Sequence, residues 1–260
     1  MSAPVPETIF SEIMQLLDPP LMRGGVFLSS NHELITELMD RCERLAKVDA
    51  CHASILKAQV RVLAGDLEGM RYWIRNAERI GARDAALHTL VICLANLGHV
   101  SEAAADYPKL MNVATGQVND RLHLGLATGS PAEVVSAAES LERAGGTVIN
   151  AELVMSAKRA AAAMAHRGAT QQQLQQMMTV AGSVLREHGL IWLNPHPDFS
   201  TPGAFEPRDL SVSYRLRVSP NQAAEMTWEL AERLASMDLM PEGITVGFIG
   251  EGEIPQEKRG

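Results

Sequence analysis

Four glycines, each closing an apolar helical run, constrain this chain more than any other feature. They lie in Leu63-Ala64-Gly65-Asp66, Asn96-Leu97-Gly98-His99, Ala127-Thr128-Gly129-Ser130 and His166-Arg167-Gly168-Ala169, at spacings of 33, 31 and 39 residues. A recurrence of that length marks a helical solenoid, whose short helix pairs bury their apolar stripes only by stacking on neighbours. The competing reading is an irregular helical bundle with glycines at chance spacing, since glycine ends helices in any all-α protein.

The clearest unit spans 85–116. Leu87, Leu90, Val91 and Leu94 share one helical face. Gly98 permits the left-handed residue that ends this helix. A second helix opens near Ser101 and carries Ala103, Tyr107, Leu110 and Met111. Val91 lies seven residues before the turn glycine, Ala103 five after it and Tyr107 nine after it. With those residues the unit resembles a tetratricopeptide repeat. The unit at Gly65 keeps Ala58 and Ala77 but has Met70 and Arg61 where the pattern has a small residue and an aromatic. The unit at Gly129 keeps little beyond the glycine. The resemblance implies a groove lined by the first helix of each hairpin. Its lining positions fall on Gln59, His88, Asn96, Asn119 and His123, and the ligand it implies is a protein segment. Solvent-facing polar residues without a ligand remain the alternative for these five.

Composition narrows the classes. Aromatics are 4% while Ala and Met are plentiful, which favours close helix packing over a β-sandwich or barrel. A net charge of −8 is a poor match for phosphate backbones and argues against nucleic acid as partner. Three cysteines, Cys42, Cys51 and Cys93, form no CxxC pair and fit a reducing compartment. No cationic region precedes the first apolar residues, and no run has the length of a membrane span. The expectation is a cytoplasmic protein with no membrane partner.

Along the chain, residues 1–5 read as loose. Pro6 opens a helix that Asp18-Pro19-Pro20 is expected to end. Leu21–Ser30 reads as a loop, and Ser30-Asn31 as the cap of a second helix. Past Gly168, Thr170 caps a glutamine-rich helix ending at Gly189. Leu190–Leu193 reads as a short strand and 194–207 as a loop. Leu210, Val212, Tyr214, Leu216 and Val218 alternate with polar residues, which means a strand with one buried face. Ser219-Pro220 opens a helix, and Ile244–Ile249 is a third strand. The fold class expected is mainly α: stacked helical hairpins over 1–169, then a small α/β domain with a three-stranded sheet over 170–252, ferredoxin-like but incomplete, and a loose tail at 253–260. A free sheet edge there is one route to a homodimer.

Reactive constellations are sparse. The eight histidines include no i,i+4 pair and no HExxH. Gly247-Phe248-Ile249-Gly250-Glu251-Gly252 looks like a phosphate loop, yet no helix pattern follows to hold an anion. His196 and Asp198 lie close together in a proline-framed loop, where a general base is conceivable. Two readings of function therefore stand. One is a non-enzymatic adaptor or chaperone, without cofactor or metal, that binds a protein segment through the repeat groove. The other is an enzyme with its site near His196 and Asp198, or a regulator that senses a peptide or small molecule.

Overall fold

The computed structural model describes residues 6–23, 25–112, 117–192, 196–201 and 208–252. The expected loose ends at 1–5 and 253–260 lie outside them. In chain order the elements are α1 (Pro6–Arg23), β1 (Gly25–Val26), α2 (Glu33–Ala46), α3 (Ala50–Leu63), α4 (Leu67–Arg79), α5 (Arg83–Asn96), α6 (Val100–Met111), α7 (Val118–Ala127), α8 (Pro131–Arg143), α9 (Ala151–Arg167), α10 (Gln171–Glu187), β2 (Leu190–Ile191), β3 (Asp198–Ser200), β4 (Leu210–Leu216), α11 (Pro220–Ser236) and β5 (Ile244–Gly250). The protein is thus mainly α, stacked hairpins followed by a three-stranded mixed sheet. Two compact units form: residues 1–112 with 185–194, and 113–184 with 195–260. The 169/170 division expected from the sequence lies inside the second.

In the first unit, three-residue turns join α3 to α4 and α5 to α6. At Gly98 (φ 71°) the His99 amide donates to Leu94 O at 2.8 Å and the Gly98 amide to Ala95 O at 2.9 Å. That pair of bonds closes a helix with orphan carbonyls satisfied, and it needs a left-handed residue. Gly65, Gly129 and Gly168 end α3, α7 and α9 in the same pattern. α3 packs against α4, its hairpin partner, and against α5, the first helix of the next hairpin. α1 and α2 lie on α3, burying Ile13, Leu17, Leu38, Leu56 and Val60 together. α3 is therefore enclosed on nearly every side. Its Lys57, only 3% exposed, sends its ammonium 2.7 Å from Glu43 and 4.2 Å from the centre of the Trp73 ring. Trp73 thus acts as packing between hairpin helices.

Three expectations for this unit change. α1 runs through Asp18-Pro19-Pro20 to Arg23: proline's fixed φ is itself helical, although the two prolines remove two amide donors from the helix. α2 is capped by His32, whose Nδ1 accepts from the Leu34 amide at 3.2 Å, not by Ser30-Asn31. And the expected loop holds β1, which pairs antiparallel with β2: Gly25 faces Ile191 and Val26 faces Leu190. This ribbon closes the turn ends of the hairpins. Leu28 N donates to Leu63 O at 2.8 Å, Trp192 N to Asn96 O at 3.3 Å, and Arg186 Nη1 to Leu97 O at 2.7 Å. Carbonyls at helix C-termini lack intrahelical partners, and a cation there also complements the helix dipole. Phe27 lies against the turn at Gly65, where an added Cβ would meet its ring at 3.2 Å.

In the second unit α7 and α8 form a hairpin on which α9 packs. Thr170 caps α10 reciprocally with Gln173: Gln173 N donates to Thr170 Oγ1 at 3.1 Å and Thr170 N to Gln173 Oε1 at 2.8 Å. The polar side of α10 turns to α8 and its preceding turn, with Gln171 on Glu133 at 2.8 Å and Gln175 on Ser130 at 3.2 Å. The sheet runs β3-β4-β5, with β3/β4 antiparallel and β4/β5 parallel across α11. Its first strand is Asp198–Ser200, not Leu190–Leu193, which corrects the strand assignment behind the ferredoxin-like reading. Leu210, Val212, Tyr214 and Leu216 are buried as their alternation requires. Arg167 at the end of α9 ties the sheet down through Arg208 O at 2.9 Å, Asp209 and, at 3.0 Å, Glu242.

Candidate functional site

The residues placed on the implied groove divide between the units. Gln59 on α3 and His88 and Asn96 on α5 belong to the first, where α3 and α5 are in contact. All three are half-buried. Gln59 carries the sharper feature: its Oε1 is enclosed and has no hydrogen-bond partner among the described residues. An enclosed carbonyl left unmatched costs about 1–3 kcal/mol, so it marks a place where a donor is wanted. Asn119 and His123 lie on α7 in the second unit, both half-buried. Asn119 donates from Nδ2 to Thr147 O at 2.9 Å and accepts from Ile149 N at 3.0 Å. Its amide thereby holds the connection between α8 and α9.

His196 and Asp198 are not joined to one another. The His196 Nδ1 lies 2.9 Å from Pro197 O, while the Asp198 carboxylate binds the Arg215 guanidinium from the neighbouring strand. Both outer edges of the sheet meet a helix hydroxyl. Ser156 on α9 donates to Phe199 O of β3 at 3.3 Å, and Thr227 on α11 accepts from Phe248 N of β5 at 3.0 Å. A second chain adding to either edge would have to displace these bonds.

Two further groupings were not singled out from the sequence. A cavity of about 260 Å³ is lined by Glu7, Phe10, Ser11, Leu45, Asp49 and His52. Asp49 caps α3 by accepting from His52 N at 3.0 Å, and its other oxygen lies 2.7 Å from His52 Nδ1. The amide bond from His52 is the main reason its carboxyl sits below the ordinary range. Phe10 meets the His52 ring edge-on at 5.3 Å. The i,i+3 spacing of Asp49 and His52 is visible in the sequence, but it reads there as an ordinary helix cap.

The second grouping surrounds His99, whose Nδ1 is 3.0 Å from Glu102, itself bound by Arg71, with Arg186 nearby. Burial first, and then the Arg186 charge, hold His99 below its usual value near 6.5 against the pull of Glu102. A histidine kept neutral by the fold is protonated first in the unfolded chain. Stability is then fully present above about pH 6.5 and falls as the pH drops from there toward the lower folded value. His99→Gln is expected to flatten that slope. Urea midpoints at pH 7.5, 6.5 and 5.5 test this, and equal pH dependence in variant and parent would refute it.

The remaining chemistry is quiet. Burial pushes the Cys42 and Cys93 thiols up to about 12, so neither is a ready thiolate. Among the described residues no group of three or more His, Cys, Asp or Glu side chains is placed to hold a metal ion, and no helix is long and apolar enough to cross a membrane. No family model, curated protein or solved structure matches the chain.

Proposed function

We propose that the protein is a non-enzymatic, tetratricopeptide-like interaction module, an adaptor or chaperone that seats a protein segment along α3 and α5, the first helices of the hairpins in its first unit. The observation that carries this reading is the set of half-buried polar side chains on adjacent first helices, Gln59 on α3 beside His88 and Asn96 on α5. The three free cysteines fit a reducing cytoplasm. The pairing of Asp198 with Arg215 leaves the acid–base reading of His196 and Asp198 with less support.

Gln59→Leu separates binding from folding. Removing an unmatched enclosed carbonyl is expected to leave stability unchanged or raised by about 1 kcal/mol. Binding is expected to suffer. Panning a random dodecapeptide phage library against the intact protein supplies the ligand, and fluorescence anisotropy of the winning peptide measures it. Gln59→Leu and Asn96→Leu should each weaken that peptide at least about tenfold, roughly 1.4 kcal/mol. Unchanged affinity in both variants would discard the groove.

A further inference from the structure

Trp228 is 71% exposed on α11, an uncommon position for a tryptophan in a folded protein. Its ring is held in place, since Nε1 donates to Glu232 Oε1 at 2.8 Å. Ala224 and Ala231, one turn before and after it, are too small to cover the indole face. Glu225 and Glu232 stand on the same side of the helix, both exposed and neither in an ion pair among the described residues. Along the chain from Val218 to Gly252 there are six acidic residues and one basic residue, Arg233. Glu229, Glu242 and Glu251 are paired with Arg233, Arg167 and Arg215, which leaves Glu225 and Glu232 as the carboxylates beside Trp228. Arg233 is itself committed to Glu229 and, at 3.3 Å, to Ser183.

We propose that this face of α11 docks a cationic peptide segment, with an arginine stacked on Trp228 and its guanidinium shared with Glu225 or Glu232. The chemistry is complementary at each point. Tryptophan is the best aromatic partner for a cation, and arginine is the cation that stacks. Carboxylates beside the ring take the guanidinium edge in charge-assisted bonds. A ring already fixed by its own hydrogen bond loses little freedom on binding, which is why such residues dominate interface energetics. The site lies wholly within the second unit and does not rest on the groove assigned to α3 and α5.

The test uses the full chain and three fluorescein-labelled peptides in which glycine alternates with arginine, glutamate or serine. Anisotropy should show saturable binding of the arginine peptide alone, weakening as salt is raised. Trp228→Ala should weaken it at least about tenfold, Trp228→Phe should recover most of the loss, and Glu225→Gln with Glu232→Gln should weaken it as well. These side chains lie on the surface, so circular dichroism should show every variant folded. The proposal is overturned if the arginine peptide does not saturate, or if Trp228→Ala binds it as the parent does. It is also overturned if Trp228→Ala only converts a sedimenting dimer to monomer while the peptide is ignored, for then a second copy is the occupant.

Discussion

Replacing Gly250 with alanine is expected to cost the second unit roughly 3 kcal/mol, the upper end of the usual overpacking range. A Cβ at this position would lie 2.6 Å from Ser219 O and 2.8 Å from both Ser219 C and Val218 O. All three are backbone atoms, so no rotamer change relieves the contact. The junction that must shift is also the cap of α11, where Ser219 Oγ accepts from Gln222 N at 3.2 Å. Gly247→Ala is the matched control. Its Cβ would approach only the Thr227 side chain, at 3.3 Å, and alanine restricts the unfolded chain in its favour. Urea denaturation of both variants decides the matter. Equal losses, or a loss below about 1 kcal/mol at Gly250, would show that the junction is looser than described. The result would also give Gly250, one glycine of the phosphate-loop look-alike, a packing role.

Tyr107→Ala is expected to cost the first unit about 3–5 kcal/mol, the usual range for emptying a fully buried aromatic site. Tyr107 has no exposed surface and is the largest side chain so enclosed. It stands one turn beyond Ala103, also fully buried, on the helix that pairs with α5. Tyr107→Phe keeps the ring and should retain most of the stability. Comparable losses from both substitutions would mean that the hydroxyl, and not the ring, matters at this position.

Most helices were legible because each signal is local. Apolar residues every three or four positions, a closing glycine and caps such as Thr170 and Ser219-Pro220 all act within a few residues. Strand β4 was equally plain, since a period of two fixes its buried face. The strands that escaped are those of two or three residues, β1 and β3, whose partners lie 166 and about a dozen residues away. Nothing in Gly25-Val26 names Ile191 and Leu190. The candidate groove shows the same limit. An offset from a turn glycine places Gln59 on a helix, but only the packing of α3 among α1, α2, α4 and α5 encloses its carbonyl. Asn119 looked equally available until the backbone of Thr147 and Ile149, about thirty residues on, was found to occupy it.

The ribbon that seals the hairpin turns has a consequence for how the protein is made. As the chain leaves the ribosome, Met1–Asn112 emerges first, yet the piece that completes it, Leu185–Asn194, is translated 72 residues later. Until then the carbonyls of Asn96 and Leu97 lack the donors that Trp192 and Arg186 bring. Nascent chains add about 5–20 residues each second, so the early helices wait several seconds in an unfinished state. The part of the first unit made last is thus the one whose strand and side chains tie its hairpin turns together.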